Sequence, residues 1–391
     1  MQPAGRRVAV TGLGVVAPCG IGRDAYWRGL LGPGITSGQA TEIEDWDPTP
    51  WYASPKEARR ADRVEQFAIA AATEAFDQAG DVGADPARFG TIFATGVGGL
   101  RTLEEQVIVR VEKGERRVSP FLVPMMMANA AGAAISMRWG LQGPNETICT
   151  ACAAGTHAIG NAARLIAWGR CDAVVTGGAE SAATITAQAG FRNMTALSTT
   201  GVSRPFDVDR DGFVFGEGAA VLMLEEWEHA VGRGATIIGE VLGAASNADA
   251  HHITAPSPGG VGASACMRLA LQDAGLEPGD IRQINAHGTS TPLNDAAEAE
   301  AALDVFGPEP PPTTSIKGVT GHALGAAGAL EAAAVLLSFQ HRQIPPTANT
   351  KVVDLGIDVV TGDAREWEPG PTMSNNFGFG GHNGSVILSP A

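Results

Sequence analysis

The stretch "ETICTACAAGTHAIGNAARLI", Glu146 to Ile166, changes texture at a single cysteine. Ahead of Cys152 the chain is short and β-prone, with Thr147, Ile148 and Thr150. Behind it come Ala153, Ala154 and Gly155, then apolar residues at helical spacing through Ile159, Ala163 and Ile166. The pattern predicts a strand that turns into a helix of small residues, with a thiol at the junction. If the helix starts just after Cys152, the positive end of its dipole favours the thiolate. The bare residues that follow leave the sulfur open to a bulky acyl group. A small buried core thiol is the competing reading.

The same texture returns in "PTTSIKGVTGHALGAAGALEAAAVLLSF", Pro312 to Phe339, and two further cues return with it in the same order. "AATEAFDQAGDVGADPARFGTIFATGVGG" (from Ala71) and "ASACMRLALQDAGLEPGDIRQINAHGTST" (from Ala263) each read as amphipathic helix, Ala-Gly stop, linker and strand. "FVFGEGAAVLML" (from Phe213) is answered by "FGFGGHNGSVIL" (from Phe377), and "RRVAVTGLG" by "ATIIGEVLG". A unit this long is not a solenoid repeat. It predicts two βα-rich halves of similar topology, 1–235 and 236–391, in one α/β layered body, with an insertion near residues 101–138 of the first.

Composition narrows the function classes. A chain of 391 residues with 44% hydrophobic and 18% charged residues can bury a large core. A net charge of −15 argues against nucleic acid as partner. Five cysteines form no paired framework and fit a reducing cytoplasm. The opening "MQPAGRRVAVTGLGVVAPCG" has arginines before an apolar run, but glycines interrupt it, so it reads as a first strand. Val118 to Met137 carries no charge over 20 residues. Its prolines, Asn129 and Ser136 favour a buried helix or a subunit interface over a membrane span.

Among short motifs, Gly12-Leu13-Gly14 satisfies a loose dinucleotide fingerprint, yet Pro18 follows and no acidic strand end lies about 20 residues on. It reads as a glycine-rich strand-to-loop turn. Cys149 and Cys152 form a lone CxxC without partners for zinc, so no metal is expected. Two histidines bear more weight. His287 follows the strand Ile281–Ala286, and His322 lies five residues after Lys317 in a glycine-rich turn before a second small-residue helix. Both belong to the half opposite the cysteine, which suggests a shared cleft. The histidine loops lack the acid that a protease needs to orient its base. Two neutral imidazoles can instead donate to one developing oxyanion, which points to carbon–carbon chemistry through an enolate.

These motifs resemble the β-ketoacyl-acyl carrier protein synthases of the thiolase superfamily, of the elongating type II kind. "TACAAGTHAIG", "RPFDVDRDGFVFGEGA", "NAHGTSTPLNDAAEAEA", "IKGVTGHALGAAGALE" and "NNFGFGGHN" run through the chain in the family's order. The resemblance implies a thiolase-like duplicated αβαβα sandwich and a decarboxylative Claisen condensation, in fatty-acid or polyketide elongation. It implies Cys152 as the acyl-accepting nucleophile, and His287 and His322 at the malonyl thioester and its enolate. Lys317 and Glu331 would order the histidines, and the backbone N–H groups of Cys152 and Phe379 would form an oxyanion hole. Phe379 would also gate the acyl tunnel. Thr254, Thr289 and Thr291 would line the phosphopantetheine channel, and Val97 the acyl pocket, near "VPMMMANAAGA" (from Val123). No cofactor is implied beyond the phosphopantetheine of the carrier protein that bears the substrates.

The same resemblance implies acyl carrier protein as partner and a dimer. The dimer is either a homodimer or a pair with a cysteine-less chain-length-factor subunit. For docking, the basic segment "SPKEARRADR" offers Lys56, Arg59, Arg60 and Arg63, with a solvated helix face as the plainer reading. His382 stands where many relatives carry threonine, and is read as structural. A non-decarboxylating thiolase would need a second cysteine near the C-terminus, and none follows Cys266.

Overall fold

In the computed structural model, which describes residues 5–391, the opening motif is a strand, β1 (Val8–Ala17), buried along its whole length. Met1–Ala4 of that motif lie outside the described residues. Gly12 and Gly14 sit inside this strand rather than at a strand-to-loop turn. A Cβ on either would run into the backbone carbonyls of Ala75 or Ala71, so the bare glycines let helix α1 (Arg63–Ala79) lie directly on β1. That helix stops at Gly80, whose φ of 70° a β-carbon would oppose.

Next in the chain come β2 (Phe89–Ala94), the helices α2 (Leu100–Lys113), α3 (Leu122–Met126) and α4 (Ala130–Trp139), and strand β3 (Asn145–Ile148). Helix α5 (Ala154–Ala167) then leads to β4 (Ala173–Glu180) and β5 (Gly218–Glu226). The second series runs β6 (Gly239–Ala248), α6 (Val261–Ala274), β7 (Gln283–Asn285), α7 (Pro292–Phe306) and β8 (Thr313–Thr314). It closes with α8 (Ala327–His341), β9 (Thr372–Gly378) and β10 (His382–Ser389).

Strand pairing repeats between the two series. The sheet order is β3-β2-β4-β5-β1-β6-β10-β9-β7-β8, which is one five-strand pattern followed by the same pattern reversed. In the first, β5 pairs antiparallel with β1 and β4, while β2 pairs parallel with β4 and β3. In the second, β10 pairs antiparallel with β6 and β9, while β7 pairs parallel with β9 and β8. A short antiparallel seam, Val8–Val10 against Gly239–Val241, joins them. Where β7 and β8 are linked by α7 alone, β2 and β3 are linked by α2, α3 and α4.

Helices α5 and α8 pack against strands of both patterns and against each other, which makes them a middle layer. Helix α8 reads "AGALEAAAVLLSFQH", apolar on every side, and Ala327 through Phe339 are all buried. Outside, α1 covers β1 and β5, and α6 covers β6 and β10. The result is an αβαβα sandwich. The uncharged stretch Val118–Met137 is not one helix: it is divided between α3 and α4, and no helix among the described residues is long and apolar enough to cross a membrane.

Candidate active site

The middle helices meet end-on at glycines. A Cβ on Gly155 would come within 2.7 Å of the Ala329 backbone nitrogen, and one on Gly328 within 2.5 Å of that of Thr156. This close crossing brings the turn before α5 and the turn before α8 together. The first turn carries Cys152, the second His322.

Cys152 sits in a 3-10 turn, Ala151–Ala153, between β3 and α5. Ala151 holds φ at +49°, a strained conformation for a residue with a β-carbon, so the thiol is presented on a tight elbow. The sulfur lies 3.0 Å from Nε2 of His322. The backbone N–H of Phe379 is directed at it, and a side chain at Gly378 would crowd the Cys152 nitrogen. The expectation of a thiolate favoured by the helix is corrected here. Burial dominates and pushes the thiol up to about 11, with the Lys317 charge and the Phe379 N–H only partly opposing it.

His287 projects from the loop after β7. Glu298 on α7 accepts the backbone N–H groups of His287 and Gly288, each at 2.7 Å, and Asp295 accepts those of Thr289 and Ser290. Burial raises the carboxyl of Glu298 to about 8. His322 is pinned by its own backbone: its N–H bonds Val214 O at 2.8 Å, and its carbonyl accepts from Gly216 at 2.9 Å. The two imidazole centroids are 5.3 Å apart. Burial, then the Lys317 charge, holds both well below the ordinary histidine range, so both are neutral at pH 7. Behind them Lys317 is ion-paired with Glu331, and its Nζ donates to the His287 carbonyl at 2.5 Å. One donor atom from each of Cys152, His287 and His322 falls within 4.8 Å of the others, a set that could also ligate a soft metal ion.

A cavity of about 580 Å³ opens onto this cluster. Cys152, His287, His322, Phe379, Thr254, Thr289, Thr291 and Val97 all line it. The hydroxyls of Thr289 and Thr291 are 2.8 Å apart on one wall. Another wall is apolar: Phe379 stacks on Phe191 at 6.1 Å, and Phe191 meets Phe213 and Phe215 edge-on. Met125, Met126 and Met127 do not line the cavity; the backbone of Met125 and Met126 rests on Gly98 and Gly99, just past Val97. His382 faces a separate cavity with His157 and Arg164. Cys266, on the buried face of α6, belongs to the core between that helix and the sheet and does not line the cavity.

The basic segment divides. Lys56, Arg59 and Arg60 are exposed, with the Arg60 guanidinium 4.5 Å from the Phe121 ring centroid. Arg63 is a correction: it starts α1 and turns inward to an ion pair at 2.5 Å with Glu217, which is wholly buried. It is a structural cation.

Sequence reading passed over Asn376, Glu298, Asp295 and Glu180. The first three stand inside motifs quoted for their neighbours. Glu180 ends a buried strand, and its carboxylate accepts from the N–H groups of Gly96 and Gly325, tying the Val97 loop to the turn before α8. An acidic residue closing the run "AVVTGGAE" was the available signal.

Residues 32–230 match the family Beta-ketoacyl synthase, N-terminal domain, and residues 238–351 match Beta-ketoacyl synthase, C-terminal domain. A 3-oxoacyl-[acyl-carrier-protein] synthase 2 from Synechocystis is 43% identical, over 97% of this chain and 96% of that protein. One from Vibrio cholerae is 42% identical, over 98% and 99%. Among solved structures, the ishigamide ketosynthase/chain length factor aligns at TM-score 0.92 and 35% identity, over 99% of this chain and 100% of that one. A beta-ketoacyl synthase from Burkholderia phymatum aligns at 0.90 and 34%, with the same coverage.

Proposed function

The chain belongs to the β-ketoacyl synthase family, and we propose that it elongates acyl chains on acyl carrier protein by decarboxylative condensation. Convergence of Cys152, His287 and His322 on one cavity, from turns far apart in the chain, is the observation that carries this reading. In the first half-reaction Cys152 Sγ attacks the acyl thioester carbonyl. The N–H groups of Cys152 and Phe379 receive the oxyanion. The thiol proton passes through His322 Nε2, the group in contact with it, to the departing pantetheine sulfur. The products are acyl-Cys152 and free carrier thiol.

In the second half-reaction malonyl carrier protein places its thioester carbonyl at the histidines. Loss of CO₂ leaves an enolate whose oxygen they hold, and its carbon attacks the acyl-Cys152 carbonyl. That attack forms the carbon–carbon bond; collapse of the tetrahedral adduct then breaks the bond to Cys152 Sγ, and the expelled thiolate takes up one proton from solvent, leaving the 3-oxoacyl carrier product and free Cys152. Thr254, Thr289 and Thr291 suit the polar pantetheine arm, while Val97 and the phenylalanines suit the acyl chain. Lys317 and Glu331 would hold His287 in place. Carrier docking is proposed for Lys56, Arg59 and Arg60, and a cytoplasmic site of action follows from the reaction class. We place the division between the halves at 235/236.

A dimer is part of the proposal. Leu103, Val107, Ile108 and Val111 of α2, with Val123, Met127 and Met137 of the following segment, are exposed apolar residues on one insertion. The partner is a second copy, as for a fatty-acid synthase, or a homologous chain. The second form draws support from the alignment with a ketosynthase/chain length factor. Sedimentation of an active 40 kDa monomer at low micromolar concentration would refute both. Intact-mass analysis with acyl carrier substrate tests the chemistry: wild type gains the acyl mass and Cys152→Ala does not. An adduct persisting on the variant removes Cys152 as nucleophile.

A further inference from the structure

We propose that Asn376 fixes His287 in its Nε2–H tautomer and thereby makes it a hydrogen-bond donor into the cleft. This rests on the reading of His287 as a holder of the enolate oxygen. Asn376 lies on β9, fully buried, and every polar atom of its amide is engaged. Its Oδ1 accepts from Thr156 Oγ1. Its Nδ2 donates to Glu331 Oε2 at 2.8 Å and to His287 Nδ1 at 3.0 Å.

The orientation of that amide is forced by its neighbours. Turned over, Oδ1 would face the Glu331 carboxylate, acceptor against acceptor, and the Thr156 hydroxyl would have to reverse as well. With Nδ2 toward the imidazole, Nδ1 of His287 must offer its lone pair. The other group near Nδ1 is Lys317 Nζ at 3.3 Å, again a donor. Among the described residues both groups facing Nδ1 are donors, so the single proton of the neutral ring sits on Nε2, which faces the cavity.

Two consequences follow. A donor aimed at the malonyl carbonyl is worth most when its proton is already placed before the charge develops. A protonated Nε2 also cannot ligate, which denies a soft metal ion the third donor of the Cys152, His287 and His322 cluster. His322 differs, because among the described residues its Nδ1 has no hydrogen-bond partner and no amide sets its tautomer. The room for this arrangement depends on Gly328, where a Cβ would lie 2.7 Å from Asn376 Oδ1.

Long-range ¹H–¹⁵N correlation on [¹⁵N]histidine-labelled protein at pH 8, without substrate, reads the tautomer directly. Wild-type His287 should show the proton on Nε2. Asn376→Asp sets an acceptor opposite Nδ1 and should move the proton there. Decarboxylation of a malonyl thioester should then fall about a hundredfold, the loss typical of one oxyanion donor, while acylation of Cys152 stays within about threefold. An Nδ1–H ring in the wild type, an unchanged tautomer in Asn376→Asp, or a moved proton with undiminished decarboxylation would each overturn the proposal. If the added carboxylate prevents folding, Asn376→Leu keeps the volume and removes the donor. It should give mixed tautomers and about a tenfold loss of decarboxylation, and full decarboxylation there overturns the idea equally. A wild-type protein that never decarboxylates malonyl thioesters would defeat the functional reading instead, and the tautomer measurement would still decide the role of Asn376.

Discussion

Gly328→Ala adds one methyl group where the middle helices cross, at a place with no room for it. The new carbon would lie 2.3 Å from Thr156 Oγ1, 2.5 Å from the Thr156 backbone nitrogen and 2.7 Å from Asn376 Oδ1, whereas ordinary contact begins at 3.4 Å. The Thr156 hydroxyl can rotate away but its backbone nitrogen cannot, so no rotamer change relieves that contact, and α5 and α8 must part by about 0.9 Å (3.4 less 2.5). Thr156 is four residues from Cys152, and Gly328 is six from His322. The shift therefore reaches the 3.0 Å contact between thiol and imidazole. A misplacement of roughly 1 Å at reacting groups costs about 100-fold in rate. Overpacking costs about 1–3 kcal/mol in stability. At ~2.1 cal/mol/K per residue, a chain of 391 residues should lose only about 1–4 °C in Tm. Condensation rate and thermal unfolding should be measured beside Gly279→Ala, where the added carbon meets nothing within 4 Å. Activity within threefold of that control would refute the crossing as the device that sets the site. So would a loss of activity that merely tracks gross unfolding.

The remaining predictions concern charge. Because burial puts Cys152 at about 11, its alkylation by iodoacetamide should rise about tenfold per pH unit from pH 7 to 10 as thiolate forms; a plateau below pH 8 would mean that the helix dipole wins after all. Arg59→Glu with Arg60→Glu should raise KM for carrier-bound substrates and flatten its salt dependence, leaving a small thioester mimic unaffected. Equal damage to both substrates would end the docking proposal. Arg63→Glu should instead lower stability by about 3–5 kcal/mol, since it strands the buried Glu217 carboxylate, with KM for carrier substrates unchanged in the folded fraction.

Much of the architecture was legible in the sequence because it rests on periodicity. The Ala-Gly stops at Gly80 and Gly275, the two all-apolar helical runs and the answering strand motifs are local signals, and each half repeats them in order. Cys152, His287 and His322, the residues proposed to react, stand out in the sequence as a thiol and two imidazoles at strand and helix ends in glycine-rich turns. What local pattern does not contain is which groups meet. Arg63 and Arg60 stand three residues apart in one basic run, yet one is drawn inward by Glu217 and the other stays in solvent. Gly12 and Gly14 read as a turn until α1 lies upon them. The thiol of Cys152 was placed correctly at a helix start, but its protonation is set by burial beneath a second half of the chain that its own neighbourhood says nothing about. Asn376 carries no chemistry of its own and acquires its role only where β9, α5 and α8 converge. Side-chain type and spacing fix which elements form and which residues can react, because those depend on short-range sterics and hydrophobic pattern. Protonation, tautomer and accessibility depend on desolvation and on partners hundreds of residues away, and those the tertiary structure alone supplies.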